Sequence, residues 1–292
     1  MITWLVTGAS GMLGRDLTAL LAAEGAHVIG LARADLDITD TLAVTAAMER
    51  HRPDVVINCA AWTAVDKAEA HEDAAYAVNG RAVADLAIAC ASHDSILVHL
   101  STDYVFDGMV GVPYAENDPA RPRTAYGRTK LAGERAVRKT LPETGYVVRT
   151  AWLYGAHGPS FVRTMINYAR MGRSVSVVSD QRGQPTWTAD VARQLRALVI
   201  ARAPAGIYHA TSSGETTWFG LADEVYRYAG ADPALVTPVA AALDSRPARR
   251  PAYSVLAHGA WTAAGIRPIG SWRDALNRGF PAMLTASCGS AA

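Results

Sequence analysis

The sequence predicts an α/β protein: a doubly wound parallel sheet of the Rossmann type, joined to a smaller C-terminal lobe that binds substrate. Strand-like and helix-like segments alternate through the first 155 residues. The strand-like segments are apolar along their whole length, which is typical of strands that helices cover on both faces. A glycine-rich stretch, TGASGMLG, directly follows the first of them. Because parallel crossovers are right-handed, these elements wind into a sheet with helices on both sides.

Each strand and helix in the first 155 residues is predicted from its own local sequence. The strands are short apolar runs rich in β-branched residues, and we predict them at 2–8, 27–32, 54–60, 95–102 and 145–155. The helices between them repeat apolar residues at a period of about 3.6. The first, for example, carries Leu13, Leu17 and Leu21 and ends on Gly25. We predict these helices at 12–25, 39–51, 72–92 and 125–140.

The pattern becomes less regular after residue 155. We predict helices at 158–172, 188–203, 217–230 and 270–280, strands at 174–180 and 206–211, and a chain that winds over a surface at 231–254. The strand at 206–211 could rejoin the first sheet. We therefore predict a dinucleotide-binding part in 1–155, to which 187–212 returns, a substrate-binding lobe in 156–186 and 213–284, and a flexible tail in 285–292.

Composition narrows the classes of partner. The formal net charge is +1 and 19 % of residues are charged, so neither nucleic acid nor a membrane is expected as a partner. No apolar run approaches the ~18 residues that a membrane helix needs. Three cysteines, an odd number without metal-ligand spacing, fit a reducing compartment, and we expect a cytoplasmic protein. A monomer and a homodimer are both compatible with these observations.

Gly8, Gly11 and Gly14 lie at the junction between the first strand and the first helix. Glycine there permits a tight turn and lets backbone N–H groups approach a pyrophosphate, which the positive end of the helix also attracts. The position after the first strand of an alternating pattern makes this motif specific. We interpret it as a dinucleotide-binding loop; a packing turn without a ligand is the alternative.

The second and third strands end in residues that could complete such a site. An acid that holds the adenosine ribose commonly follows the second strand, but Arg33 stands there, and arginine can accommodate a 2′-phosphate. We therefore predict NADPH as the cofactor, with NADH as the alternative if Arg33 is an ordinary surface charge. Asp37 and Ile38 could reach the adenine. Ala60 and Ala61 are small enough to leave room for a cofactor in the crevice.

Tyr126 and Lys130 are four residues apart in a predicted helix and therefore share one face. A phenol alone has a pKa near ~10, and an ammonium group within ~4–6 Å lowers it, which would tune the phenol as a proton donor. Ser101 and Thr102 end the fourth strand, where a hydroxyl could hydrogen-bond the substrate oxygen that receives the proton. The three features together predict a reductase; for Tyr126 and Lys130 alone, a solvated helix face is the alternative.

Further motifs narrow this prediction: NCAAWTAVDKAE, STDYVFDG, AYGRTKLAGE, VRTAWLYG, DQRGQPTWTAD, GIYHAT and RRPAYS. With them the sequence resembles the dTDP-4-dehydrorhamnose reductases of the extended short-chain dehydrogenase/reductase superfamily, from residue 2 to about residue 280. The resemblance implies reduction of the 4-keto group of a dTDP-6-deoxy-L-lyxo-4-hexulose to dTDP-L-rhamnose. It also implies that Tyr126 is the acid and that Lys130 orients the nicotinamide ribose.

The resemblance assigns neighbouring residues as well. The sugar would contact Thr102, Asp103 and Trp152, and the cofactor would contact Gly11, Met12, Leu13, Asp37, Ile38, Ala60, Ala61 and Trp62. A dTDP substrate carries two phosphate charges, for which Arg250 is the best candidate partner, unless it is a solvated surface residue. Some family members bind Mg²⁺ through glutamates, but Asp16 and Ala189 stand at the matching positions, so no metal is expected.

Two other functions stay open. Dihydrostreptose synthases look similar, act on the same keto-sugar and contract its ring. A cofactor-binding regulatory subunit, such as the methionine adenosyltransferase β subunit, shares the fold, although Thr102, Tyr126 and Lys130 favour an enzyme. The related dehydratases are disfavoured, because Asp103 is followed by Tyr104 instead of a second acid, and elimination would lack its base.

Overall fold

The computed structural model describes residues 2–241 and 246–288. In these residues the strands are β1 (Thr3–Thr7), β2 (His27–Leu31), β3 (Val55–Asn58), β4 (Ile96–Thr102), β5 (Gly145–Thr150), β6 (Leu153–Tyr154), β7 (Val175–Val178), β8 (Arg182–Gly183), β9 (Thr186–Trp187), β10 (Gly206–His209), β11 (Thr216–Thr217) and β12 (Val236–Val239). The α-helices are α1 (Met12–Ala23), α2 (Thr41–His51), α3 (Val65–Ala70), α4 (Glu72–Tyr76), α5 (Ala82–Ser92), α6 (Ala125–Thr140), α7 (Phe161–Arg170), α8 (Thr188–Ile200), α9 (Trp218–Tyr228), α10 (Gly259–Ala263) and α11 (Trp272–Cys288).

The main sheet has six strands in the order β10-β5-β4-β3-β1-β2, and all its pairs are parallel. The chain moves outward from β1 to β2 and then returns to place β3 on the other side of β1. This reversal opens a crevice at the carboxyl ends of the two strands, where ligands bind in sheets of this class. The predicted fold class, a doubly wound parallel sheet with a smaller C-terminal region, is confirmed.

Both faces of the sheet are covered, which explains why its strands are apolar throughout. On one face, Val6, Ile57 and Val148 pack with α1, α8 and α10. On the other face, Val56 and Val147 pack with α2, α5 and α6. Successive residues of a strand point to opposite faces, so a strand buried on both sides cannot alternate with polar residues.

A third core forms the C-terminal lobe. Side chains from α7, α9 and α11 bury one another there, together with residues of β7 and β12, which pair in parallel. The core includes Ile166, Val225, Tyr226, Trp272 and Leu276. The assignment of 187–212 to the first part and of the lobe to substrate stays a prediction. β10 itself pairs with β5 at the edge of the main sheet.

Several boundaries differ from the sequence prediction. The predicted helix 72–92 contains one π-helical turn, Ala77–Arg81, and a separate helix, α3, precedes it. The predicted strand 145–155 breaks after Thr150, because Trp152 adopts a left-handed conformation with φ of 48°. Hydrophobic periodicity along the chain predicts neither feature.

The C-terminal region departs further. The segment predicted to wind over a surface, 231–254, contains β12, whose partner β7 is distant in the sequence. The predicted last helix, 270–280, continues to Cys288 and accommodates Pro281. The predicted flexible tail therefore begins inside a helix, and residues 289–292 lie outside the described part of the chain. In the described residues, no helix is both long and apolar enough to cross a membrane.

The packing of α1 against the sheet makes a quantitative prediction. Leu17 is fully buried in that core, whereas Leu42 on α2 is 82 % exposed. We expect Leu17→Ala to lower the free energy of unfolding by about 2–5 kcal/mol, because it removes buried methyl groups and leaves a cavity. The matched control, Leu42→Ala, should change it by less than about 0.5 kcal/mol. Urea unfolding followed by circular dichroism measures both, and equal losses would contradict this description of the core.

Candidate active site

A cavity of about 660 Å³ lies at the carboxyl edge of the sheet, beside the reversal between β1 and β3. Every residue that the sequence nominated for the cofactor lines it: Gly8, Gly11, Met12, Leu13, Gly14, Arg33, Asp37, Ile38, Ala60, Ala61, Trp62, Tyr126 and Lys130. Residues that the sequence did not single out, including Leu36, Gly158 and Pro159, complete the wall. The tertiary structure thus brings the carboxyl ends of several strands, the start of α1 and one face of α6 to a single cleft.

The glycine loop has the geometry that its sequence predicts. Gly8 has φ of +65°, and a Cβ there would lie 2.7 Å from the backbone nitrogen of Ala60. A Cβ on Gly14 would collide with the carbonyl oxygen of Gly8. Helix α1 begins directly after Gly11, and no side chain caps its first N–H groups. This loop therefore brings unprotected backbone donors and the positive end of a helix to the cavity, which suits an anionic group.

Arg33 and Asp37 form an exposed ion pair at the rim of this cavity. Their side chains approach to 3.5 Å, and the Arg33 side chain is 87 % exposed. The backbone N–H and the hydroxyl of Thr39 donate to Asp37 and hold the pKa of its carboxyl below the usual value, with a smaller contribution from Arg33. Arg33 is therefore free to reorient toward an anion, because an exposed pair of this kind costs little to open.

The π-helical turn holds the cofactor side and the catalytic helix together. Asn79, fully buried in that turn, accepts from the Trp62 N–H at 2.9 Å and donates to the Trp62 carbonyl at 3.1 Å. Its amide also donates to the hydroxyl of Thr129 on α6. The extra residue of a π-helical turn directs this side chain inward, and such turns are frequent at functional sites. Asn79 carries no motif that single-sequence reasoning identified.

The Lys130 side chain lies at the carboxyl edge of the sheet and is almost completely buried. Its Nζ donates to the carbonyl of Leu100 at 2.5 Å and lies 3.4 Å from Nε2 of His99. Burial lowers the pKa of Lys130 to about 8, and the carboxylate of Glu134 opposes that change. His99 is a buried, hydrogen-bonded histidine, since its Nδ1 pairs with the Asn58 amide.

The phenol of Tyr126 differs from the expectation in one respect. Burial raises its pKa to about 12, whereas a hydrogen bond with Thr102 lowers it and the charge of Asp103 raises it. Lys130 is not among the groups that shift this pKa, because its ammonium group is directed to Leu100. The predicted lowering by Lys130 is therefore wrong for this structure. Tyr126 stays protonated at neutral pH, which is the form that a proton donor requires.

A second cavity, of about 430 Å³, opens on the other side of Tyr126. The four residues nominated for substrate line it: Thr102, Asp103, Trp152 and Arg250. Tyr104, Gln181 and Trp218, which were not predicted site residues, also line it. Ser101, Tyr126 and Thr150 lie in the walls of both cavities. The phenol therefore stands where the two spaces meet.

Asp103 is a buried acid in the second cavity. It accepts from the Thr102 hydroxyl at 3.0 Å, and Tyr104 follows it with its ring packed edge-on against Tyr126 at 5.6 Å. Burial raises the pKa of Asp103 to about 6, since the charged form loses its hydration. At neutral pH this carboxyl therefore carries a negative charge beside the phenol. Burial of that charge costs free energy, and hydrogen bonds from the hydroxyl groups of a ligand could reduce the cost.

Trp152 and Trp218 form a stacked pair at the wall of the second cavity. Their ring centroids lie 3.6 Å apart with planes 9° from parallel. The left-handed conformation of Trp152 directs its indole toward Gly183, where any Cβ would overlap the ring. Trp218 is thus part of the cavity wall as well as of the lobe core. A flat aromatic wall of this kind suits a sugar ring or a base.

Arg250 enters the second cavity held by Asp66 on α3. The guanidinium binds both carboxylate oxygens of Asp66, and the Asp66 carboxylate also accepts from the Ala248 N–H at 3.1 Å. Its hydrogen bond with Arg250 is the main reason why the pKa of Asp66 is lowered. The side chain of Arg250 is mostly buried, so it is not the solvated surface residue of the alternative interpretation.

Comparisons with known proteins agree with this geometry. Residues 2–284 match the family described as RmlD substrate binding domain. A dTDP-4-dehydrorhamnose reductase of Streptomyces griseus is 57 % identical over 292 residues, which cover 99 % of this chain and 95 % of that protein. A dTDP-4-keto-6-deoxy-D-glucose reductase of Streptomyces niveus is 52 % identical over 278 residues, which cover 95 % of this chain and 96 % of that protein.

Structural similarity extends along the same length. The crystal structure of a dTDP-4-dehydrorhamnose reductase from Bacillus anthracis in complex with NADP has a TM-score of 0.92 and 35 % identity to this chain. The match covers 96 % of this chain and 99 % of that chain. Because the family match and the relatives span this chain almost from end to end, the resemblance drawn from its motifs is confirmed: the protein belongs to the dTDP-4-dehydrorhamnose reductase family.

Proposed function

We propose that this protein reduces the 4-keto group of a dTDP-6-deoxy-L-lyxo-4-hexulose to give dTDP-L-rhamnose, with NADPH as reductant. The observation that carries the proposal is the position of Tyr126 in the walls of both cavities. A proton donor at that point can serve a carbonyl in one cavity while a hydride donor occupies the other. The name of the 57 % identical Streptomyces griseus relative supports the same substrate.

The residues of the first cavity fit a dinucleotide. A Cβ at Gly8 or Gly14 would collide with neighbouring backbone, so this turn requires glycine, and the uncapped start of α1 suits a pyrophosphate. The NADP complex of the Bacillus anthracis relative supports the cofactor. Arg33 would pair with the 2′-phosphate, which favours NADPH over NADH. Lys130, as an ammonium group, would donate to the nicotinamide ribose. When bound, the cofactor supplies a hydride for the carbonyl carbon.

The protein's own residues then handle the proton. The carbonyl oxygen becomes more basic as its carbon is reduced, and Tyr126 donates its phenolic proton to that oxygen. A phenol with a raised pKa remains a stronger acid than an alcohol, so the transfer is favourable. Thr102 lines the second cavity together with Tyr126 and would hold the same substrate oxygen. Bound ligands would displace water from the two cavities and so strengthen each of these interactions.

The second cavity would hold the dTDP-sugar. Asp103 would accept from sugar hydroxyls, and the stacked Trp152 and Trp218 would pack against a ring of the ligand. Arg250 would pair with the diphosphate, since its bidentate contact with Asp66 already orients the guanidinium at the cavity. The negative charge of the bound diphosphate would then neutralise Arg250 in part, as the Asp66 carboxylate does without substrate.

The identity of the keto-sugar has two supported answers. The Streptomyces niveus relative is a dTDP-4-keto-6-deoxy-D-glucose reductase at 52 % identity, so a 4-keto sugar of different configuration is the second candidate. A dihydrostreptose product differs by ring contraction and would be distinguished by its structure. A purely regulatory role is disfavoured by the geometry of Thr102, Tyr126 and Lys130.

We place the enzyme in the cytoplasm, because Cys59 and Cys90 are free thiols and fit a reducing compartment.

The decisive assay is oxidation of NADPH in the presence of the dTDP-4-keto sugar produced by a 4,6-dehydratase and a 3,5-epimerase. We expect steady loss of absorbance and dTDP-L-rhamnose as the product by NMR, with a lower KM for NADPH than for NADH. A boiled sample and a reaction without epimerase are the controls. Turnover without the epimerase would favour the D-glucose-derived substrate, a ring-contracted product would favour dihydrostreptose, and no oxidation would contradict an enzymatic function.

Replacement of Tyr126 by phenylalanine tests the proton donor. We expect kcat to fall by about 100-fold or more, since a positioned general acid contributes on this scale. The Kd for NADPH, measured by fluorescence, should change by less than about threefold, because the variant loses only a hydroxyl. Tyr76→Phe, at a half-exposed tyrosine of α4, is the matched control. If Tyr104→Phe lost activity and Tyr126→Phe kept it, the neighbouring phenol would be the donor instead.

Two substitutions distinguish substrate binding by Arg250 from the structural effect of its ion pair with Asp66. Arg250→Ala should raise the KM for the sugar nucleotide by about tenfold or more and change kcat little, because it removes a charge-assisted contact to the substrate. Asp66→Asn breaks the same ion pair but keeps the guanidinium, and it should raise KM less. Steady-state kinetics with saturating NADPH measures both constants. Equal effects of the two substitutions would mean that Arg250 acts through the loop that it anchors.

A further inference from the structure

A buried cluster of charges lies behind the two cavities, and the mechanism above uses only one of its members, Lys130. Lys130 and Glu134 on α6 and Arg149 on β5 are each about 2 % exposed. The carboxylate of Glu134 accepts from Nε and Nη2 of Arg149 at 2.9 and 2.7 Å. It also accepts from the Ser101 hydroxyl at 2.5 Å. Burial of such groups is costly, and a buried ion pair rarely adds net stability. The cluster therefore calls for an explanation other than stability.

Glu134 extends the catalytic spacing by one helical turn. Tyr126, Lys130 and Glu134 occupy positions i, i+4 and i+8 of α6 and share one face. Lys130 binds the carbonyl of Leu100, and Glu134 binds the hydroxyl of Ser101, the next residue of β4. The ammonium and the carboxylate are thus fixed on consecutive residues of one strand. Because Arg149 belongs to β5, Glu134 also ties α6 to a second strand.

The other titratable groups that face Lys130 carry no charge near neutral pH. Burial raises the pKa of the Cys59 thiol to about 12, so it stays protonated. Burial and the Lys130 charge hold the pKa of His99 well below its usual value, so its ring stays neutral. Tyr126 is likewise protonated. Among these neighbours, Glu134 is the group whose negative charge favours the ammonium form of Lys130.

We propose that Glu134 is a positioning residue of this reductase: its carboxylate anchors the catalytic helix to β4 and β5 and keeps Lys130 in the ammonium form that binds the cofactor. The inference rests on the proposed function, because it takes NADPH as the ligand of Lys130. Without the carboxylate, the buried Arg149 would lose its ion-pair partner and the buried Lys130 would lose the negative charge that favours its ammonium form. Lys130 would then lose its proton at a lower pH, and cofactor binding would weaken with it.

The test is the pH dependence of NADPH binding, measured by nicotinamide fluorescence between pH 6 and 10. In the wild type, affinity should fall as pH rises through about 8, where Lys130 loses its proton. The sign follows from the charge: the ammonium form, present below its pKa, is the form that donates to the ribose. In Glu134→Gln we expect the midpoint of this fall to move down by about one pH unit or more.

Two further variants separate charge from folding. Glu134→Gln with Arg149→Met removes both partners, so no unpaired guanidinium destabilises the core, and its midpoint should still lie below that of the wild type. Glu72→Gln breaks the exposed Glu72–Arg128 pair on the outer side of the same helix and should leave the midpoint unchanged.

The outcomes are distinguishable. A wild-type midpoint in both Glu134 variants, with weaker binding at every pH or a lower melting temperature, would mean that the cluster is merely structural and would overturn the inference. A wild type that binds no NADPH at any pH would contradict the proposed function itself. A downward shift in both variants, absent from Glu72→Gln, would support the role of Glu134.

Discussion

The contact between helix α6 and the carboxyl end of β4 is the constraint on which the site depends. Lys130 donates to the carbonyl of Leu100, and Ser101 donates to Glu134, so consecutive residues of one strand hold successive turns of one helix. Tyr126 stands one turn earlier, between the two cavities. A helix can rotate or slide only by breaking these buried hydrogen bonds, and each broken bond would leave a polar group without water. The position of the phenol is therefore fixed by contacts between the helix and the strand and does not require a bound ligand.

Burial sets the protonation states of the site. Removal from water disfavours the charged form of any group, so it raises the pKa of Tyr126 and Asp103 and lowers that of Lys130. The raised pKa of Tyr126 suits a proton donor, because the neutral phenol is the reactive form. The lowered pKa of Lys130 is unfavourable, since the ammonium form is needed. The carboxylate of Glu134, held by Arg149, offsets that effect without access to the cavity.

Much of this architecture could be predicted from the sequence. Apolar strands alternating with amphipathic helices specify a parallel sheet covered on both faces, and the reversal after β2 places a crevice beside the glycine loop. The residues nominated for cofactor and sugar all line two adjoining cavities, because the carboxyl ends of parallel strands meet at one edge. The motifs of this chain also identified its family correctly. What the sequence missed has long-range causes: β12 pairs with β7, and Asn79 holds Trp62 and Thr129.

Local sequence by itself determined the main helices and sheet strands, the glycine loop and the shared face of Tyr126 and Lys130, because these depend on spacing along one element or one turn. Only the tertiary structure decided the electrostatics. Spacing indicated that Lys130 would lower the pKa of Tyr126, yet the ammonium group is directed to β4 and the phenol is buried. Likewise, nothing local shows that Arg250 pairs with Asp66 or that Glu134 pairs with Arg149. Burial and ion pairing depend on which distant segments approach, and a pattern read along the chain does not contain that information.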